Sequence, residues 1–107
     1  MLVAISISPS GPPRDGTAAA DGGVSDAVAA ALQVVRDSGL PHELNAMFTN
    51  IEGEWDEVMA VVKAATDAVL ATAPRVSLVL KADIRPGYDG QLTAKVERIE
   101  EALRDAQ

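Results

Sequence analysis

The chain opens on an alternation. Val3, Ile5 and Ile7 are apolar and β-branched, while Ala4, Ser6 and Ser8 between them are small or polar, the period of two that marks a strand with one face buried. Apolar positions then thin out through residues 9–23, where Pro9, Pro12, Pro13, Gly11, Gly16, Gly22 and Gly23 gather, and this predicts a long mobile loop. From Ser25 the period lengthens. Val28, Ala31, Leu32 and Val35 recur at helical spacing, Ser25 suits the N-cap, and Gly39 with Pro41 supplies the stop. Residues 42–52, HELNAMFTNIE, are extended in character without an internal turn signal and read by pattern alone as one long strand. A second helix opens at GEWDEVM, where Glu54, Asp56 and Glu57 suit the positive end of the helix dipole. Trp55, Val58, Met59, Val62 and Val69 line its apolar face and Pro74 ends it, so Trp55 is expected to pack in the core. The clearest strand is residues 75–84, where Val76, Leu78, Leu80, Ala82 and Ile84 alternate with Ser77, Val79, Lys81 and Asp83. After a turn at RPGYDG, Thr93 caps a last helix with Val96, Ile99 and Leu103 inward and Glu97, Arg98, Glu101 and Arg104 outward.

Strand, helix, one or two strands, helix, strand, helix is an α+β order with few compact solutions. The commonest is the ferredoxin-like βαββαβ sandwich, a four-stranded antiparallel sheet with two long helices on one face, here with an added C-terminal helix. The order predicts one domain over residues 1–107. The second sheet face would carry Ala4, Ser6, Ser77 and Val79, and self-association is the expected way to cover it and the sheet edges.

Composition narrows the chemistry. Hydrophobic residues are 48% and charged residues 23%, the balance of a packed domain. The net charge of −7 and 3% aromatic content exclude the basic patches and stacking platforms of a nucleic-acid binder. With no cysteine there is no disulfide, thiolate metal site or thiol nucleophile. The apolar run at residues 2–7 has no basic flank, and Lys63 and Asp67 interrupt the run at 58–73, so neither a signal peptide nor a membrane span is expected and the predicted setting is cytoplasmic.

Candidate chemistry is sparse. The lone histidine, His42, starts a predicted strand, where a structural role is the ordinary one, and no metal site, cofactor motif or catalytic residue is predicted. Glu100 and Glu101 read as a solvated helix face. Glu52 and Glu54 straddle Gly53 at a strand-to-helix junction, where they complement a helix dipole or attract a cation. Asn45, Thr49 and Asn50 are polar groups on extended backbone among apolar neighbours, where each must find a partner or a ligand. Asn45 and Thr49 would either face one pocket across a turn or bond to each other across strands.

These stretches resemble the thiamine-binding protein family of small ferredoxin-like domains, most clearly in VAISISP, in ELNAM followed by a threonine and IEGEWDEVM, and in RVSLVLKADIR before a helix opening at LTAKVE. The resemblance covers nearly the whole chain. Ala46 and Phe48 depart from the Pro and Gly usual around the methionine, and the first loop is longer than usual. The resemblance implies a hairpin near residues 43–47 and 49–52 and non-enzymatic binding of thiamine or its hydroxymethylpyrimidine part. It also implies a homotetramer built as a dimer of dimers, and Ser8, Asn45 and Thr49 as ligand-binding positions. Glu52 is added on electrostatic grounds as partner of a thiazolium cation. The alternatives are an acylphosphatase-type hydrolase, for which Arg14 is the one arginine in the first loop, and a structural or regulatory oligomer without a small ligand.

Overall fold

The computed structural model describes residues 1–11, 22–87 and 90–106. In chain order the elements are β1 (Leu2–Ser10), α1 (Gly22–Asp37), β2 (His42–Leu44), β3 (Thr49–Glu52), α2 (Trp55–Leu70), β4 (Arg75–Asp83) and α3 (Gln91–Asp105). The four strands form one antiparallel sheet in the order β2-β3-β1-β4, the ferredoxin-like arrangement. β1 lies inside the sheet and pairs along its whole length with β4, from Leu2 opposite Asp83 to Ser10 opposite Arg75. It pairs with β3 only from Leu2 to Ile5.

The period-two stripe of β1 packs under the helices. Val3, Ile5 and Ile51 of the sheet form one buried cluster with Val35 of α1 and Val58 and Val62 of α2. Ala27, Ala31, Ala65, Val69 and Ala73 form a second, where small side chains let the two helices approach closely. Gly53 belongs to this packing. A Cβ there would come within 3.1 Å of Val58 Cγ2 and 3.4 Å of Leu40 Cδ2, a close approach that explains a glycine between two glutamates.

The structure corrects the sequence reading in several places. Residues 42–52, one long strand by pattern alone, are the hairpin that the resemblance implies, β2 and β3, because the chain turns at 45–48. The loop expected at 9–23 is shorter at both ends, since β1 runs to Ser10 and α1 begins at Gly22, with Ser25 inside the helix; residues 12–21 lie outside the described residues. Trp55 is 54% exposed. It is the first residue of α2, ahead of Val58, where the helix enters the core. Val96, Ile99 and Leu103, expected inward, are 52%, 62% and 60% exposed, because α3 meets the sheet only by its first turns. The apolar side of β4 is likewise largely uncovered, since β4 is an outer strand.

Thr93 is not the N-cap of α3. The cap position is Gly90, and the orphan N–H groups at this end are satisfied from across the sheet. Gln91 N–H and Leu92 N–H donate to the two carboxylate oxygens of buried Glu52, at 2.8 and 3.3 Å, a charge-assisted cap that uses the dipole as a local Asp would. Lys95 pairs with Asp83 beside it. The acidic first turn of α2 is as expected, with Glu57 accepting the Glu54 N–H at 3.3 Å.

Two outcomes follow for denaturation measurements. Ile51→Ala is expected to cost about 2–5 kcal/mol and Trp55→Ala about 0.5 kcal/mol or less, with folded-state tryptophan emission at the wavelength of a wetted indole. Glu52→Ala is expected to cost about 1–2 kcal/mol and to speed amide exchange at Gln91 and Leu92; unchanged exchange there would contradict the capping role.

Candidate functional site

A cleft opens where β1 outruns β3. Beyond Ile5 no described strand pairs with that side of β1, and the gap is bounded by α1 above and the β2–β3 turn at the end. It holds about 260 Å³, just below the usual range of about 300–1,000 Å³ for small-molecule sites. Ile5 and Ile7 line it from one face of β1 and Ser6 and Ser8 from the other, so the cleft wraps around the strand's edge. Val28, Leu32 and Val35 form the α1 wall, and Leu44, Met47, Phe48 and Thr49 the hairpin side. The lining is apolar with a few hydroxyls and one carboxamide, the composition usual for a small-molecule pocket.

The turn is built by Asn45. Two-residue hairpin turns usually need positive φ, yet no residue other than glycine has it among the described residues. Asn45 substitutes a side-chain acceptor. Its N–H donates to the Phe48 carbonyl at 2.9 Å, while its Oδ1 accepts the N–H groups of Met47 at 2.9 Å and Phe48 at 2.8 Å. This Asx arrangement explains why Ala46 and Phe48 are tolerated without Pro or Gly. It also leaves only the Nδ2 group of Asn45 to meet a ligand.

Ser8, Asn45 and Thr49 therefore come together in one cleft, although Asn45 and Thr49 are not bonded to each other; Thr49 pairs across the hairpin with Leu44. Glu52 does not join them. It sits opposite Leu2, three register positions from Ile5 and Thr49, with its carboxylate committed to α3, so its proposed role as a cation partner is withdrawn. No ionisable side chain lines the cleft among the described residues. His42 is occupied locally, its Nδ1 lying 2.8 Å from the Leu40 carbonyl. Arg14 lies outside the described residues, and among those described no cluster of three His, Asp or Glu could hold a metal. Sequence reasoning missed the α1 wall, where Val28 and Leu32 read simply as core, and Ser6, which reads as strand polarity.

The chain is an α+β ferredoxin-like sandwich with a cleft where an inner strand stops short. The chain belongs to the thiamine-binding protein family, whose model matches residues 3–100. It is 50% identical over 104 residues to the UPF0045 protein Mb1933 of Mycobacterium bovis, covering 96% of this chain and 94% of the relative. The hypothetical protein MJ1052 of Methanocaldococcus jannaschii superposes with a TM-score of 0.77 at 33% identity, over 94% of this chain and 95% of that one. A Thermotoga maritima protein provisionally assigned to thiamine biosynthesis or salvage shares the fold, with a TM-score of 0.69 at 24% identity over 90% and 96% of the two chains.

Substitutions at Asn45 separate its two functions. Asn45→Asp keeps the acceptor oxygen and is expected to leave the turn intact, whereas Asn45→Ala strands two N–H groups at an exposed turn and is expected to cost about 1 kcal/mol. Amide exchange at Phe48 reads the difference, and equal protection in both variants would contradict it.

Proposed function

We propose that this protein binds thiamine or its hydroxymethylpyrimidine part in the cleft, in the cytoplasm, without transforming it. The observation that carries this reading is that Ser8 of β1 meets Asn45 and Thr49 of the hairpin in one cleft in a chain of the thiamine-binding family. The neutral lining favours the pyrimidine over the thiazolium as the buried part, because burying an unpaired cation is costly. Hydroxyl and carboxamide groups donate and accept hydrogen bonds but exchange no proton near neutral pH, which supports binding over hydrolysis. Thermal melting tests the reading. Ligand at 100 times its dissociation constant adds about 2.7 kcal/mol, an upward shift on the order of 10 °C for a domain of this size. The ligand should be recovered unaltered by mass spectrometry; no shift with millimolar thiamine or hydroxymethylpyrimidine, or a converted ligand, would reject it.

The same proposal includes self-association, with a second copy as the occupant of the exposed apolar surfaces. Leu92, Val96, Ile99 and Leu103 mark one face of α3 over about 16 Å, and Leu78, Leu80 and Ile84 mark β4 and its exit over about 20 Å. Laying α3 of one copy on β4 of another, reciprocally about a twofold axis, covers both apolar stripes. Light scattering is expected to give a multiple of 11.1 kDa, four copies if the dimer-of-dimers expectation holds. Ile99→Asp with Leu103→Asp should lower the mass to that of one chain; a wild-type monomer would refute the assembly.

A further inference from the structure

The main chain of β1 offers a recognition element that no side chain in the cleft supplies. Met1 and Gly53 exchange both main-chain bonds: the Met1 amino group donates to the Gly53 carbonyl at 2.9 Å, and the Gly53 N–H donates to the Met1 carbonyl at 3.1 Å. In an antiparallel ladder the main-chain groups of successive residues point alternately to the two sides of the strand. This fixes the parity of β1. Met1, Val3, Ile5, Ile7 and Pro9 turn their N and C=O groups toward the β3 side, while Ser6, Ser8 and Ser10 turn theirs toward β4. Pro9 is consistent with this. A residue without an N–H is tolerated in a strand paired along its length with β4 only where its nitrogen faces away from that partner.

The ladder to β3 stops at the pair Ile5 and Thr49. Continuing that register would set Met47 opposite Ile7, but residues 45–48 turn away, held there by the Asn45 carboxamide. The N–H and C=O of Ile7 therefore face the cleft with no described strand to meet them, and Ile7 lines it. Such a donor and acceptor side by side demand a partner.

We propose that the Ile7 main chain sets the specificity of this cleft. Its N–H donates to a ring nitrogen and its C=O accepts from a neighbouring amino group of one planar heterocycle, which takes the place of the missing residue opposite Ile7. The ligand class is an aminopyrimidine-like edge, acceptor beside donor, with the ring sheltered between α1 and the hairpin. This inference rests on the small-ligand reading above and names the atoms that would discriminate within it.

The test uses the full-length ¹⁵N-labelled protein titrated with hydroxymethylpyrimidine and with the same ring lacking its amino group. With the amino ring, the Ile7 amide proton is expected to move downfield and its exchange to slow about tenfold or more, while Val3 and Ile5, already in the ladder, stay unmoved. The ring lacking the amino group is expected to bind about tenfold more weakly or worse. Ile7→Pro removes the N–H without taking a bond from the ladder to β4, and is expected to weaken binding by at least about tenfold with a cooperative melt retained; should that variant fail to fold, the labelled native chain still decides. Calorimetric binding of the amino ring with no shift or protection at Ile7 would overturn this inference and leave the binding reading standing. Absence of binding by both thiamine and the amino ring would overturn the two together.

Discussion

Nine residues of β1 run beside four residues of β3, and the cleft follows from that mismatch. Had β3 continued, its backbone would have filled the ladder and its side chains the space under α1. The chain ends β3's pairing by turning at residues 45–48, and the turn is stable without glycine because Asn45 lends an oxygen to two N–H groups. The same residue thus creates the gap and stands at its rim. Stopping the ladder leaves unmatched polar backbone, which is expensive in a core and useful in a binding site.

The opposite end of β3 shows what is done with a buried charge. Glu52 is fully engaged by the first two N–H groups of α3, so a carboxylate that looked suited to a cationic ligand instead fastens the last helix across the sheet. The helix dipole satisfies it as a counter-ion would. Fastened at one end only, α3 carries Val96, Ile99 and Leu103 into solvent. Leu78 and Leu80 of the outer strand, 40% and 36% exposed, and the open apolar stripe of α3 are the surfaces on which the proposed self-association rests.

Local periodicity was enough to read the ferredoxin-like order and the apolar faces of β1 and α2, whereas Ser8, Asn45 and Thr49 were singled out by the family resemblance and not by any period. What escaped it was decided at longer range. The hairpin was hidden because its turn is made by a side-chain acceptor and not by Gly or Pro. Trp55 has the spacing of a core residue, yet it stands exposed at the first position of α2, an end effect that periodicity cannot register. Val96, Ile99 and Leu103 have a correct helical stripe that no described element covers. The role of Glu52 depends on a contact 39 residues away along the chain. Pro9 within an otherwise regular strand was the one local sign that the backbone of β1 has a side with no ladder to serve.

Binding of a ring at the edge of β1 is tested most directly by the crystal structure of the protein grown with hydroxymethylpyrimidine. An intact ring is expected between α1 and the 45–48 turn, within hydrogen-bond distance of β1 beyond Ile5 and of Thr49 or the Asn45 amide. A ring bound elsewhere, or a cleft that remains empty at saturating ligand, would contradict it.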